Sequence, residues 1–142
     1  MTLQPQDPGH MRILVADDHE VVRKGICAII GSRHDLEVCG EASDGEEAVQ
    51  RCLELNPDLA ILDVTMPVLD GFNAAKKIKE VLPQLPILIL SMHAGSHMTK
   101  VSQSVGVQGF VSKAEVADVL LKAVDVLLSG GTFFPNVEHA VR

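Results

Sequence analysis

The chain alternates five short apolar runs with longer stretches of helical period, and few folds accommodate that alternation. The runs Arg12 to Ala16, Leu36 to Glu41, Asp58 to Leu62, Ile87 to Ser91 and Gly109 to Ser112 are rich in Ile, Leu and Val. Short continuous apolar runs read as strands buried on both faces, the condition of a parallel sheet covered by helices on each side. A first helix is expected from about His19 to Ile30, with Val22, Ile26, Ile29 and Ile30 inward and Gly31 ending it. Ser43 and Asp44 offer caps to a second, which turns Ala48, Cys52 and Leu55 to one side and stops at Asn56-Pro57. A third covers about Phe72 to Val81, and the last carries a broad apolar stripe from Val116 to Leu128 before Gly130-Gly131. The fourth is the weakest: between Ser96 and Val105 only Met98, Val101 and Val105 keep helical spacing. Its Thr, Ser and Val residues each lower helix propensity by roughly 0.5 kcal/mol against Ala, so a short or mobile element is expected.

The 142 residues, 46% of them hydrophobic, suffice for one domain with its own core. A formal net charge of −7 argues against a surface built to grip phosphate backbones, so no direct nucleic acid contact is expected. The opening residues Met1 to Met11 resemble neither a signal peptide nor an anchor, and the longest apolar run is far short of a span. No membrane partner and a cytoplasmic location are the expectation. Cys27, Cys39 and Cys52 lack metal-type spacing and read as buried neutral thiols. After Gly131 the periodicity ends, which divides the chain into a tail (1–10), a domain (11–131) and the start of a linker (132–142).

Three of the runs lead into charge: the first into Asp17-Asp18, the third into Asp63 and the fifth into Lys113. In parallel strands of one sheet these side chains meet at the carboxyl edge, where open α/β sheets bind ligands. Crowded carboxylates beside one ammonium suit a divalent cation and a phosphoryl group.

These residues resemble the receiver domain of two-component response regulators, particularly the subfamily with a C-terminal helix-turn-helix output domain. Asp17-Asp18, Asp63 with Met66-Pro67 and Asp70-Gly71, Ser91 and Lys113 are the family's motif elements, and they fall within about Met11 to Gly131. Asp18-His19-Glu20, Arg23-Lys24-Gly25 and Leu90-Ser91-Met92-His93-Ala94 point to the subfamily. The resemblance implies a doubly wound, flavodoxin-like (βα)5 fold with a five-stranded parallel sheet in the order 2-1-3-4-5. It implies that Asp63 is the nucleophile that accepts a phosphoryl group from a histidine kinase or phosphotransfer domain. Mg²⁺ would be held by Asp18, Asp63 and the backbone carbonyl of Thr65, with Asp17 acting through a water. Lys113 would pair with Asp63 and then with a phosphoryl oxygen, and Ser91 would donate its hydroxyl to another. Movement of Ser91 would be coupled to Phe110, which swings inward and changes the surface around the fourth helix and fifth strand. The implied role is a phosphorylation-controlled switch that slowly self-dephosphorylates and regulates a DNA-binding output domain outside this chain. It is not an enzyme acting on a separate substrate. A stand-alone receiver working through protein contacts is the alternative.

Asp70-Gly71 reads as turn chemistry, Lys76, Lys77 and Lys79 as a solvated face, and His93 as a residue of the site rim. Ala114 follows the lysine where many receivers have a cis proline, so a trans peptide, or a strained cis one, is expected there. The fourth helix has no acid for the charged network by which some relatives dimerise, which favours a monomer or a weak, phosphorylation-dependent dimer. A phosphatase of similar topology needs an acid two residues after the nucleophile, where this chain has Thr65. A flavin binder needs aromatic stacking partners, and the chain has no Trp or Tyr.

Overall fold

The computed structural model describes residues 10–93 and 95–135. The strands are β1 (Met11–Ala16), β2 (Leu36–Ala42), β3 (Leu59–Asp63), β4 (Ile87–Ser91) and β5 (Gly109–Ser112). The helices are α1 (Glu20–Gly31), α2 (Gly45–Leu55), α3 (Gly71–Val81), α4 (Ser96–Ser104) and α5 (Val116–Leu128). All strand pairs are parallel and the order is β2-β1-β3-β4-β5, as expected. The order reverses between β1 and β3, so the carboxyl ends of those two strands flank a crevice.

Side chains alternate across each strand, so consecutive residues serve different cores. Leu14, Ala16, Ala60, Leu62, Ile87 and Ile89 face α2 and α3, packing on Ala48, Cys52, Ala74, Ala75 and Ile78. Ile13, Val15, Leu59, Ile61, Leu88 and Leu90 face the other way, onto Ile26 and Ile30 of α1 and Leu120, Ala123, Val124 and Leu127 of α5. With both faces covered, truncating a fully buried side chain such as Ile61 costs about 2–5 kcal/mol, which ties the strand ends to a rigid frame.

Several local expectations change. Val22 of α1 is 37% exposed and Ile29 only half-buried, because the helix rests on the sheet through Ile26 and Ile30. Gly31 is the last residue of α1, and Ser32 caps it with its hydroxyl donating to Ile29 O at 2.7 Å. In α4, Met98 and Val101 are partly buried, whereas Thr99 and Ser102 are buried. Ser102 satisfies its hydroxyl by donating to Met98 O at 2.8 Å, so this helix turns polar residues inward and its apolar period is faint. Lys79 leaves the solvated face expected for it: its ammonium donates to Leu85 O at 2.6 Å and Pro83 O at 3.3 Å, and burial lowers its pKa. Cys52 is buried, with its thiol pushed up to about 12 by burial, while Cys27 and Cys39 are half-buried. After Gly131 the chain stays on the sheet edge, where Phe133 bridges Gly109 of β5 in parallel.

Candidate functional site

The strand termini explain which charges meet. Asp17 follows β1, its amide donating to Ala42 O of β2 at 3.0 Å, and it is fully buried. Arg23 of α1 donates to the Asp17 carbonyl at 2.8 Å and to Glu41 Oε1 at 2.7 Å, which pins the β1–α1 turn against β2. Asp63 ends β3 and is 2% exposed. Ser112 accepts from Ala114 N at 3.2 Å and starts a single 3₁₀ turn, Lys113–Glu115, that aims Lys113 across the edge. The Lys113–Ala114 peptide is trans.

Lys113 Nζ lies 2.7 Å from Asp17 Oδ2 and 3.1 Å from Asp63 Oδ1, with its side chain only 8% exposed. The reading from sequence paired it with Asp63, and it bridges both acids. The contact to Asp17 is an ion pair, and no other donor among the described residues reaches Asp17 Oδ2, a buried oxygen. Burial raises the pKa of Asp63, and neighbouring Asp17 adds to the shift while the Lys113 hydrogen bond opposes it. Burial alone would lower Lys113, but its contacts with Asp17 and Asp63 reverse the sign and raise it.

Asp17, Asp18, His19 and Asp63 offer ligand atoms that all lie within 4.8 Å of one another. The acids supply hard oxygen donors, and Asp17 Oδ2, faced only by the Lys113 ammonium, has a lone pair left for a cation or its water. These residues fit a divalent ion. His19 joins the cluster although no role was read for it from sequence: its Nδ1 stands 3.2 Å from Asp18 Oδ1 and 3.5 Å from Asp17 Oδ1. The only signal for it was its place beside the acidic pair. Thr65 sits two residues past Asp63 in an exposed loop, and its backbone N–H favours the Asp63 carboxylate.

That loop is folded back tightly over the site. Gly71 N donates to Val64 O at 2.8 Å, and a Cβ on Gly71 would overlap the Asp63 carbonyl oxygen. Asp70 caps α3 by accepting from Asn73 N at 2.8 Å. Asp70-Gly71 is therefore a cap joined to a close approach as well as a turn. Ser91 is buried at the end of β4, its Oγ accepting from His93 N at 3.0 Å, and the His93 side chain is exposed at the rim. Phe110 is fully buried, so its ring already lies inward in this arrangement.

Comparison with known families matches residues 13–125 to the response regulator receiver domain. Transcriptional regulatory protein LnrK of Bacillus subtilis is 33% identical over 88% of this chain and 57% of its own length. The oxygen regulatory protein NreC of Staphylococcus epidermidis is 39% identical over 87% of this chain and 57% of its own length. Among solved structures, a LuxR-family two-component response regulator from Aurantimonas sp. superposes with a TM-score of 0.87 at 31% identity, covering 92% of this chain and 94% of that one. The non-phosphorylated receiver domain of the stress response regulator RcsB from Escherichia coli superposes with a TM-score of 0.82 at 28% identity, covering 89% of this chain and 99% of that one. The chain belongs to the response regulator receiver domain family, as a receiver of the LuxR type. It spans just over half the length of LnrK and NreC. No helix among the described residues is long and apolar enough to cross a membrane.

Proposed function

We propose that this domain is a phosphorylation-controlled switch whose acceptor is Asp63. The observation that carries the reading is the buried triad in which Lys113 bridges Asp17 and Asp63, 2.7 and 3.1 Å away. A carboxylate oxygen of Asp63 attacks phosphorus in line with the donor, the P–N bond to a phosphohistidine of a histidine kinase or phosphotransfer domain breaks, and an acyl phosphate results. Lys113 follows the transferred charge as a compact cation on a flexible stem, and the Ser91 hydroxyl is available to a second phosphoryl oxygen. Asp18, Asp63 and the Thr65 carbonyl would hold Mg²⁺, with Asp17 acting through a water. Bound there, the ion neutralises charge on the transferring oxygens. His93, exposed at the rim, tunes the hydrolysis of the acyl phosphate.

An apolar recess of about 390 Å³, formed by Val22, Ile26, Met92 and Ala114, opens beside Lys113, and Met92 is 72% exposed. It offers the donor protein a dry contact next to the acceptor. The domain extends over 11–131, works in the cytoplasm as a monomer or a weak phosphorylation-dependent dimer, and controls an output domain that acts on transcription. LnrK, a transcriptional regulatory protein of which this chain covers 57%, motivates that last step. Incubation with acetyl phosphate and Mg²⁺ tests the reading: intact mass should rise by one phosphoryl group in this chain and stay unchanged in Asp63→Asn. Equal labelling of the two would end it.

A further inference from the structure

His19 precedes α1 as its N-terminal cap residue, yet its side chain makes no capping hydrogen bond. Its backbone is held on both sides: the amide donates to Asp17 Oδ1 at 2.9 Å, and the carbonyl accepts from Arg23 N at 2.8 Å. The imidazole therefore starts from a fixed point beside the acids, with Nδ1 3.2 Å from Asp18 Oδ1 and 3.5 Å from Asp17 Oδ1. Asp17 divides its oxygens, Oδ2 facing the Lys113 ammonium at 2.7 Å and Oδ1 facing His19. The cluster thus has an ammonium on one flank and an imidazole on the other. With the His19 side chain 66% exposed, an ion pair with Asp18 contributes only about 0–1 kcal/mol, a weak reason for the imidazole to stay there.

Two ligand atoms about 2.1 Å from one ion stand about 3.0 Å apart at a right angle and about 3.4 Å apart at a tetrahedral angle. His19 Nδ1 keeps close to those separations from both acids, and the ligand atoms of Asp17, Asp18, His19 and Asp63 all lie within 4.8 Å of one another. We propose that His19 is a direct ligand of the cation site, which gives the site affinity for a divalent transition ion of the Co²⁺ and Zn²⁺ class as well as for Mg²⁺. The inference rests on the cation site of Asp18 and Asp63 in the proposed function. Mg²⁺ takes oxygen ligands and leaves the imidazole unused, whereas Co²⁺ and Zn²⁺ accept imidazole nitrogen together with carboxylate oxygen. Because the transition ion uses Asp18 and Asp63, it excludes Mg²⁺ from them, and the supply of such ions becomes an input to the switch.

The test titrates Mg²⁺, Co²⁺ and Zn²⁺ into the full chain, His19→Ala and Asp18→Asn by calorimetry, and follows the imidazole nitrogens of the original chain by nitrogen-15 NMR. His19→Ala should bind Co²⁺ and Zn²⁺ at least roughly tenfold more weakly, with its Mg²⁺ affinity changed by less than about twofold. Nδ1 of His19 should take the large shift of a metal-bound nitrogen with Zn²⁺ and not with Mg²⁺. A loss under about tenfold in His19→Ala, or a zinc-induced shift confined to other imidazoles, would overturn the ligand role and leave the acidic site standing. If none of the three ions binds in a way that depends on Asp18, the cation site falls and the inference falls with it.

Discussion

Lys113 stands closer to Asp17, at 2.7 Å, than to the proposed acceptor Asp63, at 3.1 Å. One ammonium thus faces two buried carboxylates, and removing it leaves both without a counter-charge. Lys113→Met should lower stability by about 3 kcal/mol, because it leaves buried charge unpaired. Urea denaturation measures the loss. Adding Asp63→Asn to that variant should restore part of it, and a double-mutant cycle with strictly additive effects would contradict the bridge.

Asp63 also sets a pH dependence. Its pKa is raised above the ordinary value of 3.8, chiefly by burial, so the folded state holds its proton to higher pH than the unfolded chain does. Stability from this group therefore falls as pH rises through the window between 3.8 and the raised value. Asp63→Asn removes the penalty, so it should be more stable than the original chain at neutral pH in chelator, with the difference shrinking on acidification. Glu41 works with the opposite sign, its pKa lowered first by the hydrogen bond from Arg23, so its contribution is present at neutral pH and lost in acid. Chemical denaturation at several pH values, with Asp63→Asn and Glu41→Gln in parallel, separates the two.

Gly71→Ala should destabilise the domain by about 3 kcal/mol, because the added methyl meets the backbone carbonyl of Asp63, which cannot move aside without displacing the Asp63 side chain from Lys113. Its urea midpoint should fall, and Mg²⁺ affinity should fall with it.

Val68 sits at φ 70° between Pro67 and Leu69, and Leu69 N donates back to Pro67 O at 2.7 Å in a tight three-residue turn. A β-branched residue is strained there, and at 73% exposure its side chain gains little from burial. Val68→Gly should raise stability by about 1 kcal/mol in urea denaturation, with no change in the denaturant slope.

The meeting of Asp17, Asp18, Asp63 and Lys113 was legible because each lies at the end of a short apolar run, and a parallel sheet brings such ends to one edge, whereas the strand order followed from the family resemblance alone. The inward face of α4 was hidden because Thr99 and Ser102 are buried as satisfied hydroxyls, which an apolar count passes over. Lys79 looked like a surface charge because the carbonyls it caps lie in a loop past its own helix. The pairing of Phe133 with β5 was missed for a related reason: it is one bridge, too little to make a periodic pattern. His19 entered the cluster through the backbone of the β1–α1 turn, where its amide donates to Asp17 Oδ1 at 2.9 Å.

The most direct measurement of the central claim is reductive trapping of the acyl phosphate. The chain is treated with acetyl phosphate and Mg²⁺, then with borohydride, which converts a phosphorylated aspartate to homoserine. Peptide mass spectrometry should find homoserine at position 63 and nowhere else, with none when Mg²⁺ is chelated. Homoserine at another aspartate, or an unmodified Asp63 in protein that has taken up phosphate, would contradict the account.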